Sequence, residues 1–165
     1  MKWLLAAAAV ALVAAFAYLQ VHTVKTTYVN GLPPYTTLPG REYIVEHDCY
    51  VFKFKAHDTD WPLLGAKDTV PDLPAEVTSA NIDGNFPTVR ILDVIHVGDH
   101  FRLASVRRDV GRSGTTITFE VLLSDEATRK FPRVDTFWIM DHSPETKGEA
   151  PTFLPSYAVP LGPEK

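Results

Sequence analysis

Three apolar-rich runs between residues 89 and 123 are separated by two glycine-bearing turns. In the second and third runs, aromatic and β-branched residues alternate with polar ones, which is typical of antiparallel strands that bury one face. Gly111 and Gly114 in the second turn allow positive φ at little cost. The pattern predicts a β-meander at the centre of the fold.

Residues 41–55 predict a further strand that bends. Apolar residues occur on both parities of this segment: Tyr43, Val45 and Val51 on one, and Tyr50, Phe52 and Phe54 on the other. A change of inward face within a strand requires a β-bulge or a sharp bend, which we place at residues 47–49. We therefore expect side chains of both sets to reach the core.

Two more elements follow the central strands. Ser124 is a favourable N-cap for a short helix over residues 124–130, and residues 134–140 have the pattern of a last strand. The sequence thus predicts a mainly β fold. It is expected to be a small antiparallel β-barrel (SH3-like or OB-like) or a β-sandwich, with one short helix and an N-terminal hydrophobic helix.

Composition divides the chain into four parts. Residues 1–24 are expected to be a signal peptide or a single-pass membrane anchor, and residues 25–40 a linker rich in proline and glycine. The β-barrel-like domain is expected over residues 41–142, and a proline-rich C-terminal tail over residues 143–165.

The N-terminal part predicts export. Residues 3–24 contain no Asp, Glu, Lys or Arg, and the A-x-A pattern at residues 15–17 fits cleavage of a signal peptide after Ala17. A helix over residues 3–19 measures about 26 Å, and extension to Val21 brings it close to the ~30 Å of a hydrocarbon core. The domain is therefore expected either in the periplasm, anchored to the inner membrane, or soluble there after cleavage.

The net charge and the cysteine content argue against two classes of protein: those that bind nucleic acid and those stabilised by disulfide bonds. The formal net charge of −4 comes with no large basic field, so nucleic acid is not expected as a partner. A single cysteine, Cys49, excludes an internal disulfide framework. Stability must therefore come from burial.

Four arginines and one tryptophan are the candidate protein-binding residues. Arg102, Arg107, Arg108 and Arg112 fall on the second central run and its turn, and Trp61 lies in a long loop. Basic residues there can protect an exposed sheet edge, or they can dock an acidic partner or anionic lipid headgroups. Loop aromatics can anchor an interface. We expect an envelope protein as the partner, and contact with the membrane through the N-terminal helix.

Catalytic, metal-binding and cofactor-binding patterns are absent from the sequence. His96 and His100 flank a turn, so nothing makes the three or four ligands of a zinc site converge. His47 and Cys49 are two apart on a strand and can face the same side, but an isolated cysteine is more typical of core packing. We therefore predict no catalytic residue, no metal and no cofactor.

These patterns favour a non-enzymatic, exported or membrane-anchored binding or assembly module of the cell envelope, acting through loops and an edge strand. Two alternatives stay open. One is a periplasmic inhibitor or immunity-type protein that uses the Arg-rich turn or an acidic loop. The other is a thiol enzyme or hydrolase around Cys49 and His47. A pocket joining Cys49 to a second histidine would favour the enzyme, and an exposed patch would favour the binder.

The export hypothesis predicts where a C-terminal fusion is active. A charged residue costs about 2.5–3.5 kcal/mol at the bilayer centre, and the apolar N-terminal run contains none, so we expect it to insert. A reporter that works only outside the cytoplasm should be active when fused after Lys165. If that reporter is inactive and a cytoplasm-dependent reporter at the same place is active, the topology is the reverse of the predicted one.

Overall fold

Strands dominate the computed structural model, which describes residues 24–56, 61–70, 72–76, 78–84, 86–111, 114–123, 131–136 and 138–162. None of the helices in these ranges is long and apolar enough to cross a membrane. The predicted N-terminal helix and the predicted helix over residues 124–130 lie outside the described residues. The strands are β1 (Lys25–Tyr28), β2 (Glu42–Val45), β3 (Cys49–Phe54), β4 (Leu63–Gly65), β5 (Val89–Ile95), β6 (His100–Gly111), β7 (Gly114–Leu123), β8 (Val134–Thr136), β9 (Met140–Asp141), β10 (Thr152–Phe153) and β11 (Ala158–Pro160).

Nine of these strands form one sheet, in which β1 pairs with β6 beside the order β11-β2-β6-β7-β8-β4-β3-β5. The mainly β class is confirmed, but the sheet is open and the expected closed barrel is wrong. The outer side of β5 is already occupied, since the Asp83 N–H donates to the Ile91 carbonyl and the Val94 N–H donates to the Asp93 carboxylate. Backbone groups used in this way are not free to close a barrel.

The predicted three-strand meander is also wrong at its first turn. β6 and β7 pair along their length, whereas β5 pairs with β3 and not with β6. Instead, the chain over β2 and β3 runs antiparallel to the chain over β5 and β6, with Ile44 opposite His100 and Cys49 opposite Ile95. Both pairs share one register, so the two segments form a single bent ribbon.

The bend in this ribbon is a corner made by residues 46–48 and 96–99. Val45 N–H donates to the Asp99 carbonyl at 2.8 Å, and Gly98 N–H donates back to the Val45 carbonyl at 2.9 Å. The Asp48 carboxylate accepts from Val97 N–H at 2.7 Å. Gly98 has φ of 91°, which favours glycine. A bend therefore lies where it was expected, but the expected change of inward face is wrong, because Val45, Cys49 and Val51 all belong to the same core cluster.

β3 is buried on both faces, which explains its mixed parity. Cys49 and Val51 belong to the larger core cluster, and Tyr50 and Phe52 belong to a second cluster on the opposite face. The expected contribution of both parities to the core is confirmed, and Phe54 contributes as a partly buried side chain. A strand covered on two sides loses the polar alternation that marks a half-exposed one.

Two segments that were expected to be irregular form strands, and both strands pair with the sheet. β1, in the expected linker, pairs with β6, and β11, in the expected tail, pairs with β2. All four residues of β1 are exposed, so apolar periodicity does not reveal this strand. The last expected strand, over residues 134–140, is shorter: it consists of β8 and the first residue of β9, and Phe137 lies outside the described residues.

Truncation of β3 side chains should reveal its central place. Phe52→Ala removes a side chain with 0% exposure and should lower the free energy of unfolding by about 3–5 kcal/mol. Phe54→Ala, at a partly buried position of the same strand, is the control and should cost clearly less. Urea denaturation measures both, and equal losses would contradict burial of β3 on two faces.

Candidate ligand-binding groove

The N-terminal ends of two parallel strands bring separate loops together. β4 and β8 pair in parallel, with Leu63 opposite Asp135, and the Asp135 N–H donates to the Pro62 carbonyl at 2.9 Å. Parallel neighbours start at the same edge of a sheet, so the residues before β4 meet those before β8. Trp61 therefore lies beside Arg133, with the guanidinium carbon 4.7 Å from the centre of the indole.

An open groove with a volume of 390 Å³ lies at this edge. Among the residues that the structure describes, no acidic side chain lines it. Leu92 and Phe131 are partly buried against the larger core cluster and give it apolar surface, and Trp61 is 39% exposed. The groove is lined by Lys53 from β3, Arg90 and Leu92 from β5, Trp61 and Pro62 before β4, and Phe131, Pro132 and Arg133 before β8.

A polar row crosses the sheet behind this groove. Ser105, Glu120 and Asp135 are cross-strand neighbours on β6, β7 and β8. The next row, with Val106 opposite Phe119, belongs to the larger core cluster. Successive residues on a strand point to opposite faces, so this part of the sheet presents a buried polar face and an apolar face.

Two arginines hold the polar row together. Arg107 lies 2.8 Å from Asp135 and 2.9 Å from Asp109, and Arg133 lies 2.9 Å from Asp135 and 2.7 Å from Glu120. The side chains of Asp135 and Glu120 are 5% and 10% exposed. Two guanidinium groups thus face three carboxylates, so this ionic cluster carries no excess positive charge. Arg133 therefore adds little positive potential to the groove, and its stacking against Trp61 fixes the indole.

Burial changes the pKa values of side chains in the ionic cluster. Desolvation raises the pKa of Asp135 above its usual value of 3.8, although the charge of Arg107 and its hydrogen bond act in the opposite direction. Desolvation also opposes the charge on Arg107, but the charge of Asp135 and the bonds to Asp109 outweigh it and raise the pKa of that guanidinium. The environment therefore disfavours the charge on Asp135 and favours that on Arg107.

The predicted arginine set is not gathered at one surface. Arg107 belongs to the ionic cluster, Arg102 is exposed opposite Glu42 of β2, and Arg112 lies outside the described residues. Arg108 is exposed and lines a separate cavity of 330 Å³. Neighbouring residues on a strand face opposite sides, which separates Arg107 from Arg108. Of the four predicted residues that the structure describes, Trp61 alone lines the groove.

The surroundings of Cys49 do not support the thiol-enzyme alternative. Cys49 is 1% exposed, and its thiol donates to the backbone carbonyl of His47 at 3.2 Å. Burial, together with the charges of Asp48 and Asp68, raises the pKa of the thiol to about 12. A nucleophilic cysteine needs the thiolate, which this environment disfavours. In the described ranges, no three His, Cys, Asp or Glu side chains are grouped to hold a metal ion.

The three cationic residues of the groove and Phe131 were not predicted from the sequence. Lys53 and Arg90 come from strands whose pairing spans the long loop, and Phe131 and Arg133 meet Trp61 only through the parallel pairing of β4 with β8. The alternation around Lys53 and Arg90 was a usable signal, because it leaves both on one face of the sheet if β3 pairs with β5.

Comparison of the chain with protein-family models, with curated proteins and with solved structures finds no match. The groove and the ionic cluster must therefore be interpreted from their own chemistry.

Asp135→Asn should alter the pH dependence of stability. The raised pKa means that the folded chain binds this proton more tightly than the unfolded chain, so the contribution of Asp135 to the free energy of unfolding falls as pH rises from about 3.8 through the folded pKa. The stability of the wild type relative to the variant should therefore decrease between about pH 3.5 and pH 7. Urea denaturation at both pH values measures this difference.

Asp141→Asn is the matched control with the opposite sign. Hydrogen bonds from Ser143 lower the pKa of the Asp141 carboxyl. The wild type should therefore gain stability relative to this variant as pH rises from below the folded pKa toward the unfolded one. Changes of the same sign in both variants would contradict the assignment of Asp135.

Proposed function

We propose that this chain is a non-enzymatic binding or assembly module of the cell envelope, exported or membrane-anchored, whose binding surface is the groove. The uncharged run over residues 3–24 supports export to the periplasm. The observation that carries the binding function is the exposed Trp61, which lies with Phe131 among three cationic side chains. The groove is built from loops, from β3 and from β5, the strand at one edge of the sheet.

The chemistry of the groove supports recognition of a protein. Tryptophan and arginine are enriched among the residues that dominate protein interfaces, and an indole fixed by a neighbour loses little conformational freedom when a partner binds. Trp61 is held in this way by Arg133, which is itself held by the carboxylates of Glu120 and Asp135. Two prolines, Pro62 and Pro132, further restrict the two loops.

A two-layer sandwich is our proposal for the packing of the open sheet. Side chains of the larger core cluster come from both halves of the strand order: Phe101 on β6 and Phe119 on β7 share it with Cys49 on β3 and Ile95 on β5. Strands far apart in a sheet share a core when the sheet folds over on itself, as in a sandwich. The corner of the ribbon supports this proposal, because it bends the chain between β2 and β3.

Recovery of a partner from the native envelope tests the binding function. We expect full-length tagged protein to capture an envelope protein, and Trp61→Ala to reduce the amount captured by about tenfold or more, since buried interface aromatics often contribute over 1 kcal/mol. Val97→Ala is the matched control, because Val97 is 60% exposed and lies past the opposite end of β5. It should leave capture unchanged.

Site-specific crosslinking gives the outcome that would contradict the proposal. A photo-reactive amino acid at position 61 should yield a specific adduct in the envelope, and the same group at position 97 should not. Equal adducts at both positions, or none at position 61, would rule out the groove as the binding surface.

A further inference from the structure

We propose that the ligand of the groove is an acidic polypeptide segment of the partner, in which an apolar side chain lies beside two carboxylates. Lys53 and Arg90 bind the carboxylates, and Trp61 and Phe131 contact the apolar side chain. The inference rests on the proposed function and names the chemistry of the partner.

The positions of Lys53 and Arg90 favour an anion between them. The two residues are direct cross-strand partners on β3 and β5, and both line the groove. Like charges directly opposite each other in a sheet repel and destabilise it. A carboxylate placed between the two side chains relieves that repulsion, so binding of an anion is favoured relative to binding of a neutral group.

Arg90 has a counterion that a ligand can replace. Its guanidinium lies 3.0 Å from the Asp83 carboxylate, and the two side chains are 64% and 68% exposed. Exposed ion pairs of this kind contribute little to stability. A carboxylate bound inside the groove is better shielded from water and can accept two parallel hydrogen bonds from the guanidinium.

The third cation has a different role. Arg133 makes short ion pairs with Glu120 and Asp135, which neutralise it from behind the groove. It is a positioning residue that orients Trp61. Lys53 and Arg90, which both have other contacts in the free protein, are the two cations that would exchange a contact for the ligand. A site with two cations suits a short acidic segment, whereas a long polyanion would meet a chain whose net charge is −4.

Recognition of this segment is through side chains. The outer side of β5 is capped, because the Asp83 backbone N–H donates to the Ile91 carbonyl and the Asp93 carboxylate accepts from the Val94 N–H. Addition of the ligand as a further strand would require those groups. The concave surface formed by Leu92 and Phe131 instead accepts an apolar side chain next to the cations.

Selection from a displayed random peptide library, with the full-length chain in detergent micelles as bait, tests the inference. We expect enriched peptides to contain at least two Asp or Glu residues close to an aromatic or aliphatic residue. Binding of a synthesised enriched peptide should weaken with added salt. Its Asn/Gln counterpart should bind about tenfold more weakly or worse, since a charge-assisted hydrogen bond is worth more than a neutral one.

Variants locate the effect in the groove. Lys53→Gln with Arg90→Gln should reduce peptide affinity by at least about tenfold. The melting temperature should stay within about 2 °C of the wild type, because loss of the repulsion between the two cations offsets the loss of their other contacts. Arg102→Gln, at an exposed position on β6 opposite Glu42, is the control and should leave affinity unchanged.

Three results would overturn the inference. They are enrichment of neutral or basic peptides, no enrichment at all, and preferential binding to phosphatidylglycerol vesicles that the double variant abolishes. None of them repeats the crosslinking test. Specific crosslinking from position 61 with no acidic peptide selected would leave the binding function standing and reject its acidic ligand. Acidic peptides selected with no specific adduct at position 61 would reject the groove as the surface that binds the envelope partner.

Discussion

The corner at residues 46–48 and 96–99 is the constraint on which the rest of the fold depends. Two backbone hydrogen bonds between Val45 and the turn at Gly98 and Asp99, with the Asp48 carboxylate on Val97 N–H, fix where the ribbon turns. On one side of the corner, β2 pairs with β6, which also forms the long pair with β7. On the other side, β3 and β5 pair at the other end of the sheet. Because this turn separates the two ends, side chains from both can pack into one core.

The groove follows from the same geometry. With β3 placed at the far end of the sheet, β4 lies between β3 and β8, and its parallel pairing with β8 brings Trp61 to Arg133. The ionic cluster then fixes Arg133 from the opposite side. Buried ion pairs contribute little to the net stability of a fold, but they fix the positions of the side chains that form them. Here that definition is used to fix an exposed indole.

Local patterns in the sequence were sufficient to locate the strands, but not to predict which strands pair with each other. The alternation over residues 89–123 predicts β5, β6 and β7, whereas the mixed parity around Cys49 reflects burial of β3 on both faces and not the corner. The pairing of β5 with β3, across more than thirty residues, depends on the corner bonds, which leave no local trace. Trp61 was identified because it is an aromatic residue in a loop. Lys53, Arg90 and Arg133 were not identified, because only strand pairing brings them to Trp61. Arg107 was mistaken for a surface cation because its partners, Asp109, Glu120 and Asp135, lie on three strands.

Under the proposed anchoring, the pairing of β1 with β6 would limit the distance between the domain and the lipid surface. β1 starts at Lys25, and the apolar run of the proposed anchor ends near Val21, so about three residues, or roughly 10 Å of extended chain, separate the two. If the proposed anchor is retained, so short a tether would leave the domain little rotational freedom and confine it to a thin layer next to the bilayer. Its local concentration toward targets embedded in the same membrane would then be high, and diffusing targets would have to approach the bilayer to be bound.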